Sequence, residues 1–144
     1  MMSITNRIFL DSSIFIEPLK GNKVDFYEQL ISDLTNELFI NDIVISEYLY
    51  YILGFSSGVS PTTLQQKKKI KDTLENESKI IKAISNFNFL SGNQSFLSEA
   101  PRLMSTYNLL PNDAIILATC KLHGTKLASN DSRFMISCKS ENIE

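Results

Sequence analysis

Four carboxylates, Asp11, Glu47, Asp113 and Asp131, stand beside or inside strongly apolar segments. Asp11 closes the run Ile8-Phe9-Leu10, Asp113 precedes Ala114–Ala118, and Asp131 follows Leu127-Ala128. A carboxylate near a core is costly unless a cation or a set of hydrogen bonds meets its charge. For three of the four a purely structural account exists. Asp11 and Asp131 each end an apolar run in good capping sequence. Asp113 falls where a helix N-terminus favours negative charge. Glu47 caps nothing: its helical neighbours at i−4, i−3, i+3 and i+4 are Ile43, Val44, Tyr50 and Tyr51.

Carboxylates arriving from separate points of a chain suit magnesium or manganese, hard ions that prefer oxygen ligands. Such a set can hold one or two ions and leave coordination positions open for water and a phosphate oxygen. The chemistry is then hydrolysis of a phosphodiester by metal-activated water. It needs no histidine or cysteine ligand, and this chain has a single histidine.

The elements that must position these groups form an alternating pattern. Arg7–Leu10 reads as a buried strand, with a helix starting at Asp11-Ser12-Ser13. A helix over Asp25–Leu38 places Phe26, Leu30, Ile31, Leu34 and Leu38 on one face. Leu38–Ile40 is a second strand, and Asn41-Asp42 caps an almost wholly apolar, buried helix over Ile43–Phe55. After the break at Ser56–Pro61, Thr62 opens a long polar helix carrying Ile70, Leu74, Ile81 and Ile84. Phe87–Leu90 fits a third strand or, nearly as well, a helix end, and a helix covers Phe96–Tyr107. Pro111 and Gly124 bracket the apolar helix Ala114–His123. Lys126–Ala128 is a last strand, and Asn130-Asp131 leads into one more helical turn. Strands alternating with helices imply an α/β sandwich around a mainly parallel sheet, as one domain over residues 1–144.

Bulk composition narrows the function classes. The 144 residues are 43% apolar and carry a formal net charge of −2, so polyanion binding must come from a local patch or bound metal. No apolar run approaches the roughly 20 residues needed to span a bilayer, and residues 1–6 lack the basic start and apolar middle of a leader. Cys120 and Cys138 form no metal-binding spacing with His123 and read as free thiols in a reducing cytoplasm. Lys67, Lys68, Lys69 and Lys71 read as a solvated face. His123 reads as a helix C-terminal residue and the tyrosines Tyr48, Tyr50 and Tyr51 as core.

Four short strings, in this order, resemble those of PIN-domain ribonucleases: Phe9-Leu10-Asp11-Ser12-Ser13, Ile45-Ser46-Glu47, Leu110-Pro111-Asn112-Asp113-Ala114 and Ser129-Asn130-Asp131-Ser132-Arg133-Phe134. Size and layout are similar to VapC-type toxins of prokaryotic toxin–antitoxin pairs. The resemblance implies a three-layer α/β/α fold, magnesium- or manganese-dependent RNA cleavage, frequently a homodimer, and an antitoxin that blocks the site. It makes Asp11, Asp113 and Asp131 metal ligands and Glu47 a ligand or the group that orients water. Ser13 and Ser129 become hydrogen-bonding supports of those carboxylates. Arg133 and Arg102 are candidates for the substrate or an antitoxin carboxylate. Ser129 stands where threonine is commoner, and the residues after Phe134 leave the usual last edge strand short or absent. Two rivals remain: a PIN-like module that binds RNA or a protein without cutting, and a phosphatase. The second commonly needs an Asp-x-Asp pair, and Ser13 stands where the second Asp would be.

Overall fold

The computed structural model describes residues 5–144; Met1–Ile4, and with them most of the stretch read for a leader, lie outside the described residues. Strand β1 (Asn6–Leu10) is central, and Phe9 and Leu10 are both fully buried, as expected of a strand covered on both faces. It pairs in parallel with β2 (Asn36–Ile40) on one side and β4 (Lys126–Ala128) on the other, while β3 (Asn88–Phe89) pairs in parallel with β2. The strand order is therefore β3-β2-β1-β4, and the sheet is parallel throughout. With right-handed crossovers, the helices between β1 and β3 cover one face and those between β3 and β4 cover the other, which gives the expected three layers.

The first face carries α1 (Ser12–Leu19), α2 (Val24–Ser32), α3 (Asp42–Ser57), α4 (Pro61–Gln66), α5 (Ile70–Asn76) and α6 (Ser78–Ala83). The second carries α7 (Phe96–Tyr107) and α8 (Pro111–His123), and α9 (Phe134–Ser140) follows β4. Asn41 caps α3 through a bond from the Val44 backbone amide at 3.1 Å. That helix buries one stripe, Val44, Tyr48 and Ile52, but exposes Tyr50 and Phe55, so it is less enclosed than its composition suggests.

Three boundaries differ from the sequence reading. The helix expected over Asp25–Leu38 stops at Ser32, because the Asp33 carboxylate accepts the Thr35 amide and hydroxyl at 2.9 and 2.7 Å and turns the chain into β2. Leu34 consequently points into solvent. The long helix expected from Thr62 is three short ones, broken around Lys68, which adopts a left-handed φ of 57°, and again at Glu77. A straight helix over that stretch would run roughly 35 Å, too long for Leu64, Thr73 and Ile84 all to bury against this one small body, as they do. The turn after Asp131 leads into a two-turn helix, α9, and no fifth strand forms among the described residues. Instead Glu144 comes back to the β4 edge, its carbonyl accepting the Leu127 amide at 3.4 Å.

A charged cluster fastens this tail. Glu141, largely enclosed, accepts bonds from Arg102, Lys121 and Tyr107, and Arg102 and Lys121 also reach Glu99. These cations hold Glu141 and Glu99 well below the usual carboxylate range, each to about 2. A depressed folded-state value contributes stability that is complete above the ordinary value of 4.5 and disappears as pH falls through about 2. Glu141→Gln should therefore lower Tm by a few degrees at pH 7. The deficit should shrink steadily between pH 4.5 and 2, and a pH-independent deficit in thermal melts would contradict this account.

Candidate active site

Asp11 sits one residue beyond the central strand, with its amide bonded to the Ala128 carbonyl at 3.0 Å. After β1 the chain runs outward to β2 and β3, then returns to β4 on the far side of β1. The carboxyl ends of β1 and β4 thus flank a topological switch point, the usual crevice for a site in an open parallel sheet. Although Asp11 occupies the N-cap position of α1, its side chain makes no capping bond. Its Oδ2 accepts instead from Ser13 Oγ and Ser129 Oγ, both at 2.8 Å. Each hydroxyl has one hydrogen, and both are spent on Asp11. The 3.3 Å approach of the two oxygens to each other is therefore close packing around a shared acceptor.

The other carboxylates gather around this anchor. Ser12, in the first turn of α1, donates to Glu47 Oε1 at 3.2 Å. Burial pushes the Glu47 carboxyl up, Asp11's charge adds to the rise, and Ser12 and Asn112 pull against it. Asp113 is the third residue of α8, whose N-cap position belongs to Leu110, and it makes no capping bond. Burial raises its carboxyl too; Arg133 opposes that, while Asp11 and Asp131 reinforce it. The Asp131 amide is held by Ser129 Oγ at 2.9 Å. Its carboxylate accepts the Arg133 backbone amide at 3.0 Å and is gripped by the Arg133 guanidinium, which lowers it.

All four predicted acids, both predicted serines and Arg133 therefore meet at one end of the sheet. Arg102 does not. It lies with Glu99, Glu141 and Lys121 at the other end of α8, eight residues and roughly 12 Å of helix beyond Asp113. Sequence reasoning missed Ser12, whose hydroxyl is spent on Glu47, and Asn130. Asn130 ties the loop after β4 to α1 by donating its amide to Ser13 Oγ at 2.9 Å and its Nδ2 to the Ser13 carbonyl at 3.2 Å. Neither bond has a sequence signal, because its partner lies 35 or 117 residues away.

As a donor set this is all oxygen and suits a hard divalent cation. The raised Glu47 and Asp113 carboxyls mark negative charge that the protein alone leaves under-compensated. Even so, among the described residues no three Asp, Glu, His or Cys side chains stand close enough to share one ion as placed. Holding an ion requires the carboxylates to close up, and Asp131 is turned toward Arg133. Cys120, on the buried side of α8 with its thiol pushed up to about 12, is chemically quiet. A groove of about 370 Å³, lined by Leu127, Phe134, Met135 and Cys138, opens beside Ser129 and Asp131.

The model of the PIN domain family matches residues 8–136. Ribonuclease VapC2 of Methanocaldococcus jannaschii is 33% identical over 133 residues, covering 90% of this chain and 87% of its own length. Ribonuclease VapC6 of the same organism is 34% identical, covering 92% and 93%. A solved toxin–antitoxin complex from Klebsiella pneumoniae shares the fold, with a TM-score of 0.58 at 22% identity over 89% of this chain and 90% of that one.

A carboxylate whose folded-state value is raised costs stability once pH climbs through that value, and costs nothing below its ordinary value. Glu47→Gln should accordingly raise Tm at pH 7 in the presence of a chelator, and the gain should vanish below pH 4.5. Equal melting of both proteins at pH 7 would show that Glu47 carries no such burden.

Proposed function

Because the chain belongs to the PIN domain family, we propose that it is an endoribonuclease dependent on magnesium or manganese, and the toxin of a toxin–antitoxin pair. The observation that carries this reading is the gathering of Asp11, Glu47, Asp113 and Asp131 at the switch point of a parallel sheet, with Asp11 fixed by two hydroxyls. The names of the two Methanocaldococcus relatives support ribonuclease activity, and the Klebsiella complex supports an antitoxin partner. Self-association as a homodimer, a cytoplasmic location, and a single domain over the whole chain belong to the same proposal. The unpaired cysteines suit a reducing compartment.

In this reading Asp11, Asp113 and Asp131 hold the cation, directly or through water. When bound, it supplies a water of lowered pKa and steadies the attacking and leaving oxygens of an in-line displacement. The chain's own residues do the rest. Ser13 and Ser129 hold Asp11 Oδ2, which leaves Oδ1 for the cation. Glu47 binds a proton more readily than an ordinary glutamate, because it is half-buried beside Asp11, and so suits orienting water and taking its proton. Asn130 keeps the β4 loop against α1, so the two halves of the site cannot drift apart.

Asp11→Asn keeps an acceptor for both serines but removes the charge. Cleavage of labelled RNA should fall by more than about 100-fold, beyond the roughly 10–100-fold expected from loss of an outer partner such as Ser129. Circular dichroism should remain that of the wild type. Unfolding by Asp11→Asn would make Asp11 a structural residue, and metal-independent cutting by the wild type would remove the cation from the reaction. Manganese in excess should raise the wild-type Tm by mass action; no shift would count against a metal site.

A further inference from the structure

Arg133 is bound more closely into the acidic cluster than a substrate-binding arginine needs to be. Its Nε lies 3.0 Å from Asp131 Oδ1 and 2.8 Å from Oδ2, its Nη2 also bonds Oδ2, and the same nitrogen is 4.0 Å from Asp113 Oδ2. The guanidinium thus spans the two acids that the proposed function assigns to the cation. It is also the cation that most eases the buried charge of Asp113. Yet the Arg133 side chain is 66% exposed, against 15% for Asp113 and 22% for Asp131. The acids are the enclosed partners, and the arginine is the one open to solvent. Ion pairs with one solvated partner are weak and readily exchanged. The backbone contributes a second feature: the Arg133 amide itself bonds Asp131 Oδ1, so Asp131 keeps its aim when the side chain departs.

Resting on the metal-dependent reading above, we propose that Arg133 is an exchangeable stand-in cation. It balances Asp131 and Asp113 until a divalent ion replaces it, and the ion is held only after the guanidinium swings out. A single positive charge that already grips both Asp131 oxygens both repels an arriving ion and competes for its ligands. Displacement of Arg133 thereby sets the cation concentration at which the site loads. The displaced guanidinium stays tethered two residues from Asp131, at the rim of the cluster.

The test is calorimetric titration of manganese into wild type, Arg133→Gln and Arg133→Lys, with parallel melts in chelator and in saturating manganese. Arg133→Gln should bind manganese about 5- to 10-fold more tightly, having lost both the competitor and its charge. Arg133→Lys, which keeps the charge but not the fork, should fall between. In chelator Arg133→Gln should melt below wild type, and saturating manganese should close or reverse that gap. A purely structural arginine would lower Tm equally in both conditions, which would overturn the proposal. Equal or weaker manganese binding by Arg133→Gln, with the wild type binding normally, would also overturn it and leave the metal-dependent reading intact. Failure of every folded variant and the wild type to take up manganese would overturn that reading, and the exchange with it.

Discussion

A carboxylate can sit at the end of a strand buried on both faces only if its charge is answered locally, and at Asp11 the answer comes from hydroxyls 116 residues apart in the chain. Ser13 and Ser129 both spend their hydrogens on Asp11 Oδ2. Their remaining acceptor capacity takes up the backbone amides of Asn130 and Asp131. The same few atoms therefore anchor Asp11, close the loop after β4 onto α1, and aim Asp131. Remove this arrangement and the loop after β4 loses its tie to α1, although β1 and β4 stay paired. A hydrogen-bonded buried network of this kind specifies one geometry because each member satisfies another.

What the network does not do is neutralise charge. Hydroxyls and amides orient carboxylates, but burial still raises the Glu47 and Asp113 carboxyls, and the charge of Asp11 adds to both rises. Helix α8 shows the contrast within one element. At its C-terminal end, Lys121 joins Arg102 to hold Glu99 and Glu141 in fully answered ion pairs. At its N-terminal end, Asp113 has only the solvent-exposed guanidinium of Arg133, 4.0 Å away. The first cluster fastens the C-terminal segment. The second withholds full compensation at the place where a cation and a phosphate are proposed to bind, which is how a fold sets aside stability for chemistry.

Misplaced boundaries came from features that local pattern cannot weigh. The apolar spacing from Phe26 to Leu38 fits a helix, but strand pairing of Asn36 with Asn6 and the Asp33–Thr35 turn override it. The series Ile70, Leu74, Ile81 and Ile84 also fits one long helix. The body against which it must pack is too small, so the chain folds back at Lys68. In both cases a periodic signal was real and a tertiary demand outweighed it. The helix over Phe96–Tyr107 was legible, and the one read as Ala114–His123 starts three residues earlier, at Pro111, with Pro and Gly marking its ends.

By itself the sequence determined the alternation of strands and helices, the position of each acid at an element's edge, and the kinship carried by four short strings in order. These are local properties, written in residue type and spacing. Only the tertiary structure decided that Asp11 and Asp113 do not cap their helices, that Ser12 and Asn130 belong to the site, and that Arg102 does not. It also assigned Arg133 to the acids themselves. Those facts depend on which distant groups reach hydrogen-bonding range, and that follows from strand order and helix packing, which no local spacing encodes.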